Sequence, residues 1–99
     1  MNASKVSEIT TQDLAEYIRL TDPSQDDMDT LGSLLTVAKC YVAEYTGRTI
    51  QQLDDYRDIV IAVLILVQDM WDNRTLYVDS SNANKVVDSI LNLHSVNLL

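Results

Sequence analysis

The chain has 99 residues, of which 46% are hydrophobic, and its formal net charge at pH 7 is −8. This length corresponds to one domain, residues 1–99, and the apolar fraction excludes a disordered acidic tail. The excess of carboxylates argues against a protein that binds nucleic acid or an anionic membrane, since both need a cationic face. The longest apolar run, residues 59–67, is far shorter than the roughly 20 residues of a transmembrane helix, so we expect no membrane partner.

The first predicted helix covers residues 11–20. Thr10 is followed three positions later by Asp13, the pattern of a helix N-terminal capping box. The helix is expected to end before Asp22, because a residue that precedes proline, here Pro23, is disfavoured in the helical region.

A second and longer helix is predicted over residues 25–46, with Ser24 as its N-terminal cap. Carboxylates fill its first turn, where they complement the positive end of the helix dipole. Gly47 stands where a left-handed C-terminal cap belongs. Apolar residues then recur at spacings of three and four, which predicts a buried face. That face consists of Leu31, Leu34, Leu35, Ala38, Tyr41, Val42 and Tyr45.

Residues 49–53 are expected to form a short helical turn or a loop, and a third helix is predicted over residues 55–73. Aspartates open this helix, as they open the second. Its core face is Tyr56, Ile59, Val60, Val63, Val67, Met70 and Trp71.

A variable loop rich in serine and asparagine is predicted over residues 74–84, within which residues 75–78 are compatible with a short strand. The last predicted helix covers residues 83–94. Together these elements predict an all-α fold, a small bundle of three to four helices with a variable loop before the C-terminal helix. One face of the last helix carries Val86, Val87, Ile90, Leu91 and His94.

The face of the second helix opposite its core stripe carries small residues instead of charges. Small residues let another backbone approach closely, although a small polar face exposed to water is the competing interpretation. The members of this face are Gly32, Ser33, Thr36, Cys40 and Ala43.

The outward side of the third helix combines charge with large apolar residues. Ile61 and Ile65 lie in the same sector as three aspartates, and Leu64 flanks them. Burying an isoleucine contributes about 1.5–3 kcal/mol, so we expect something to cover this pair. Two covers are possible: the C-terminal helix folded back on the same chain, or a neighbouring subunit.

No constellation of residues in the sequence predicts catalysis. His94 is the only histidine and lies on an apolar face, while Cys40 has no neighbour that would activate it as a nucleophile. One histidine and one cysteine do not make a zinc site, and no glycine-rich phosphate loop or calcium loop is present. We therefore predict no catalytic, metal or cofactor site and no enzyme activity.

The order of these pieces resembles the small head–tail connector (head-completion adaptor) family of tailed bacteriophages and prophages. Similar segments occur in the same order along most of the chain. They are Glu8-Ile9-Thr10, Leu14-Ala15-Glu16-Tyr17-Ile18-Arg19-Leu20, Asp26-Asp27 followed by Leu31, Leu34-Leu35 and Ala38-Lys39, Tyr41-Val42-Ala43-Glu44-Tyr45-Thr46-Gly47, Leu53-Asp54, Ile61-Ala62-Val63-Leu64, Asp69-Met70-Trp71-Asp72-Asn73-Arg74 and Val87-Asp88-Ser89-Ile90-Leu91-Asn92-Leu93-His94.

The resemblance implies a structural subunit, not an enzyme. Such proteins assemble as a ring, typically dodecameric, below the portal, in the host bacterial cytoplasm and then in the virion at the head–tail interface. The implied partners are other copies of the chain, the portal protein and a stopper or tail-completion protein. Double-stranded DNA would pass through the ring without specific binding. On this basis the outward faces of the second and third helices are candidate subunit interfaces, and the apolar face of the last helix is a candidate portal-docking surface.

Other classes of function remain open from the residues themselves. A helical adaptor or regulator unrelated to virion assembly would show the same periodicity. A DNA-contacting regulator is opposed by the acidity of the chain. An enzyme would need an active site that several subunits supply jointly.

Overall fold

The structure, a computed structural model, describes residues 3–79 and 84–96. A 3-10 turn at Val6–Glu8 precedes the helices, and no β-strand occurs within the described ranges, which confirms the predicted all-α class. The helices are α1 (Thr11–Ile18), α2 (Gln25–Thr46), α3 (Ile50–Leu53), α4 (Asp58–Asn73) and α5 (Lys85–His94).

Side-chain caps set the beginnings of the first three helices. The hydroxyl groups of Thr10, Ser24 and Thr49 each accept a hydrogen bond from the backbone N–H three residues later, and the side chain of that third residue accepts one in return. Each capping box satisfies two backbone N–H groups that the helix cannot pair internally. The first two boxes confirm the predicted starts of α1 and α2, and the third makes residues 50–53 helical.

The first helix ends two residues earlier than predicted. Arg19 adopts a left-handed conformation with φ 65° and ψ 42°, and its N–H donates to the carbonyl of Glu16. This cap closes α1 at Ile18, before the Asp22-Pro23 step is reached. In contrast, α2 ends as predicted, at a left-handed Gly47.

The fourth helix begins at Asp58, later than the predicted residue 55. The N–H of Asp54 donates to the carbonyl of Ile50, so Asp54 closes α3, while its carboxylate binds Ser7. Arg57 occupies the N-terminal cap position of α4 and makes no side-chain capping bond. Residues 75–78 do not form the suggested strand, since they pair with no other strand within the described ranges.

The fifth helix is capped by Asn84, whose side-chain oxygen accepts from the N–H of Val86. The predicted start at residue 83 lies outside the described residues. The N–H of Val96 donates to the carbonyl of Thr46 at 2.8 Å, while His94 contacts Asp58. These contacts place α5 parallel to α2 and antiparallel to α4.

One core joins all of these elements. The fourth helix packs against α1, α2 and α5, which is why more of its circumference is buried than its predicted stripe. No described helix is long and apolar enough to span a membrane. The buried residues of α4 are Ile59, Val60, Ala62, Val63, Leu64, Leu66, Val67 and Met70.

Candidate protein-contact surfaces

The outward side of α4 exposes apolar surface although α5 is folded back against the same helix. Ile61 keeps 51% of its surface exposed, and Ile65 is only partly buried against the core. Leu64, predicted to flank them at an interface, is 6% exposed and belongs to the core. The intrachain packing of α5 therefore leaves the outer apolar pair of α4 uncovered.

Two carboxylates lie beyond the C-terminal end of this apolar pair. Asp69 and Asp72 lie one or two turns beyond Ile65 on the outward side, and both are exposed. Partial burial, and secondly the negative charge of Asp72, raise the pKa of the Asp69 carboxyl above its ordinary value. A cationic group from a partner would relieve that repulsion.

The small-residue face of α2 divides into an exposed part and an intrachain part. Ser33, Thr36 and Cys40 are exposed, and Ala43 is half-buried. Gly32 instead faces α1, since a Cβ atom built on it would lie 3.6 Å from the Cγ2 atom of Thr11. Gly32 thus contributes to the packing of α1 on α2.

The predicted docking face of α5 is also divided. Val87 and Leu91 are fully buried in the common core and present nothing to a partner. Val86 is 54% exposed, and Ile90 is half-buried beside it. Leu93, which was left out of the sequence prediction, is the most exposed of these side chains at 73%. Val86, Ile90 and Leu93 are spaced four and three residues apart, and this helical spacing is the signal in the sequence that identifies Leu93.

His94, predicted to dock on a partner, is bound within the chain. Its Nε2 atom lies 2.8 Å from both carboxylate oxygens of Asp58. The ring of Tyr56 stacks on the imidazole at a centroid distance of 4.1 Å, and the Arg48 guanidinium lies over the Tyr56 ring, 5.4 Å from its centroid. These four side chains are called the α5 clasp below.

Further polar contacts hold the same end of α5. The Nε–H of Arg48 donates to the carbonyl of His94 at 2.6 Å, and the Tyr45 hydroxyl donates to the side-chain oxygen of Asn92 at 2.7 Å. A cation is favourable at a helix C-terminus, where carbonyl groups lack internal partners. The only histidine is thus engaged in positioning a helix.

The described residues include no group of three or more histidine, cysteine, aspartate or glutamate side chains arranged to hold a metal ion. A cleft of about 280 Å³ lies between the C-terminal half of α4 and the segment that follows it. Its polar lining comes from Asp69, Asn73 and Asn84, and its floor from Leu66 and Met70. Thr75, Tyr77 and Asp79 add further polar groups to this lining.

Comparison with known proteins gives no relative: no protein-family model, curated protein or solved structure matches the chain.

Proposed function

We propose that this protein is a head–tail connector subunit of a tailed bacteriophage or prophage. In this role it forms a ring below the portal, extends the DNA channel and joins the head to a stopper or tail-completion protein. The resemblance of its ordered segments to that family supplies the identity. Its place would be the head–tail interface of the virion, after assembly in the bacterial cytoplasm.

The observation that carries the proposal is the exposure of Ile61. It lies on an outward face of the most buried helix, half exposed, although the chain has already used α5 to cover α4. A subunit contact would bury the exposed half of this side chain, which contributes about 25 cal/mol per Å² of apolar surface. Ile65, one turn further along, extends the same surface.

The second half of a ring contact needs a different face, because head-to-tail association joins two unlike surfaces. The exposed part of α2 (Ser33, Thr36, Cys40 and the half-buried Ala43) is the candidate. The α2 face and the α4 face lie on two different helices that pack against each other. A head-to-tail contact between two such faces forms a closed ring when the rotation between neighbouring subunits is a whole fraction of a turn.

Charge is compatible with DNA passage. Fifteen carboxylates against seven lysines and arginines make a surface that repels phosphate, so a duplex would slide past such a ring without binding it. Val86, Ile90 and Leu93 on the exposed side of α5 are the candidate surface for the portal protein. An apolar helix face of this kind fits a groove on a larger partner.

The decisive experiment mixes the protein with the portal protein encoded beside its gene and examines the complex by electron microscopy. A ring with a central hole of DNA width, bound to the portal, is the expected result. Failure to bind that portal, or a gene with no portal, capsid or tail genes around it, would contradict the proposal.

A pair of variants localises the subunit contact. Ile61→Asp places a charge in the proposed interface and is expected to abolish ring formation on the portal while the melting temperature changes little. Gln51→Asp, at an exposed position of α3, adds the same charge outside the proposed subunit and portal surfaces and should leave the ring intact. If the two variants had the same effect on ring formation, Ile61 would not belong to the interface.

A further inference from the structure

The exposed strip of α4 has opposite charges at its two ends. Arg57, Ile61, Ile65, Gln68 and Asp72 fall within one sector of about 80° on the helix surface. Arg57 continues the helical backbone, with φ −64° and ψ −30°, so the same geometry applies to it. These five residues are called the α4 strip below.

Among the described residues, neither end of the α4 strip has an ion-pair partner. Arg57 and Asp72 are both exposed, and neither forms an ion pair with another described residue. The two are separated by about 22 Å along the helix at 1.5 Å per residue. Ile61 and Ile65 lie between them.

This order of residues is self-complementary only when two copies run antiparallel. A twofold axis through the middle of the strip brings Arg57 of each copy toward Asp72 of the other, and this pairing occurs twice. The isoleucines of both copies then meet at the centre. A parallel arrangement in register would place Arg57 against Arg57 and Asp72 against Asp72, which is repulsive.

We infer that free subunits associate in solution as an antiparallel twofold dimer through the α4 strip. The role of this dimer rests on the proposed function. The dimer buries the Ile61 surface, which becomes available for ring assembly when a neighbouring subunit on the portal displaces the dimer partner. The surface buried by one helix face is small, so the dimer belongs with weak, reversible interfaces. Its formation depends on protein concentration and weakens with added salt.

Charge-exchange variants test the pairing by sedimentation velocity over a range of concentrations, in a Cys40→Ser background that excludes disulfide-linked species. Arg57→Asp and Asp72→Arg each place like charges across the axis twice and are expected to weaken the dimer at least about tenfold. Both substitutions agree with the helix dipole, with an anion near the N-terminus and a cation near the C-terminus, so folding is retained.

Restoration is the specific signature of the antiparallel geometry. The double variant Arg57→Asp/Asp72→Arg, and an equimolar mixture of the two single variants, are both expected to recover the dimer. Lys85→Asp, an exposed cation-to-anion change on α5, is the matched control and should have no such effect. Ile65→Cys, at the position of the strip nearest the axis, should cross-link two copies on oxidation.

Three outcomes would overturn the inference: a wild-type protein that stays monomeric at all concentrations, rings that form without portal, or a double variant as weakly associated as the single ones. The portal experiment is read separately. If no dimer is detected but the ring forms on the portal, only this inference is rejected. If the dimer forms but the protein does not bind the portal, only the proposed function is rejected.

Discussion

The imidazole of His94 and the carboxylate of Asp58 join the last turn of α5 to the first turn of α4, with Nε2 at 2.8 Å from each carboxylate oxygen. The contact bridges residues that are 36 positions apart in the chain. It joins the C-terminal end of α5 to the N-terminal end of α4, while the burial of Val87 and Leu91 in the core sets which side of α5 faces inward.

Removing the imidazole should loosen α5 without unfolding the bundle. His94→Ala deletes the bond to Asp58 and the stacking on Tyr56, and we expect a loss of about 1–2 kcal/mol in the free energy of unfolding. For a chain of this size that corresponds to roughly 4–15 °C in melting temperature. Ser89→Ala is the control on the same helix, and an equal melting temperature for both variants would show that the clasp does not stabilise α5.

Two leucines on α5 separate its buried side from its exposed side. Leu91 is fully buried and Leu93 is 73% exposed, so Leu91→Ala should cost about 2–5 kcal/mol and Leu93→Ala less than about 0.5 kcal/mol. Denaturant unfolding measures both. If Leu93 belongs to the portal-docking surface, Leu93→Ala should instead weaken portal binding. Similar unfolding midpoints for the two variants would contradict the position of α5.

Local signals in the sequence predicted much of the fold. The caps at Thr10, Ser24 and Gly47 depend only on neighbouring residues, and each of them predicted a helix end that the structure has. The outward position of Ile61 followed from the helical period alone. These features share a short range along the chain, which is the range that periodicity and capping report.

Features that depend on distant residues were missed. The clasp joins Arg48 and Tyr56 to His94, and no local pattern links them. Leu64 was placed at an interface because the prediction assumed one covered side of α4, whereas α1, α2 and α5 all pack on it. For the same reason Val87 and Leu91 were assigned to a docking face, although they fill the core.

The bond between Ser7 and Asp54 predicts a dependence of stability on pH. The Ser7 hydroxyl and backbone N–H donate to the carboxylate at 2.6 and 2.9 Å, and the hydroxyl bond is the main cause that holds the pKa of Asp54 below its ordinary value. A carboxyl with a lowered pKa stabilises the fold above its unfolded-state pKa of about 4, and this contribution disappears as the pH falls through the folded-state pKa.

Comparison of wild type with Ser7→Ala measures this contribution. At neutral pH the variant should be less stable by about 0.5–1 kcal/mol, a modest value because the pair is exposed to solvent. The difference should shrink as the pH is lowered below about 4. Urea unfolding at a series of pH values is the measurement, and a difference that stayed constant or grew in acid would refute the assignment.

The two glycines of the chain should respond to alanine with opposite signs. Gly47 ends α2 with φ 70° and ψ 22°, and its N–H donates to the carbonyl of Ala43. A side chain in this left-handed conformation costs about 1–2 kcal/mol, so Gly47→Ala should lower the unfolding midpoint. It should also disturb the clasp, because this turn directs Arg48 toward Tyr56.

Gly32 provides the matched comparison inside the helix. A Cβ there meets only the Cγ2 atom of Thr11 at 3.6 Å, an ordinary contact. Gly32→Ala should therefore stabilise the protein by about 0.5–1 kcal/mol, since alanine loses less backbone entropy in a helix. Thermal unfolding of both variants decides the matter. If Gly32→Ala lowered the stability, α1 would have to lie closer to α2 than the 3.6 Å contact indicates. The first half of the small-residue face of α2 would then be covered by α1 of the same chain.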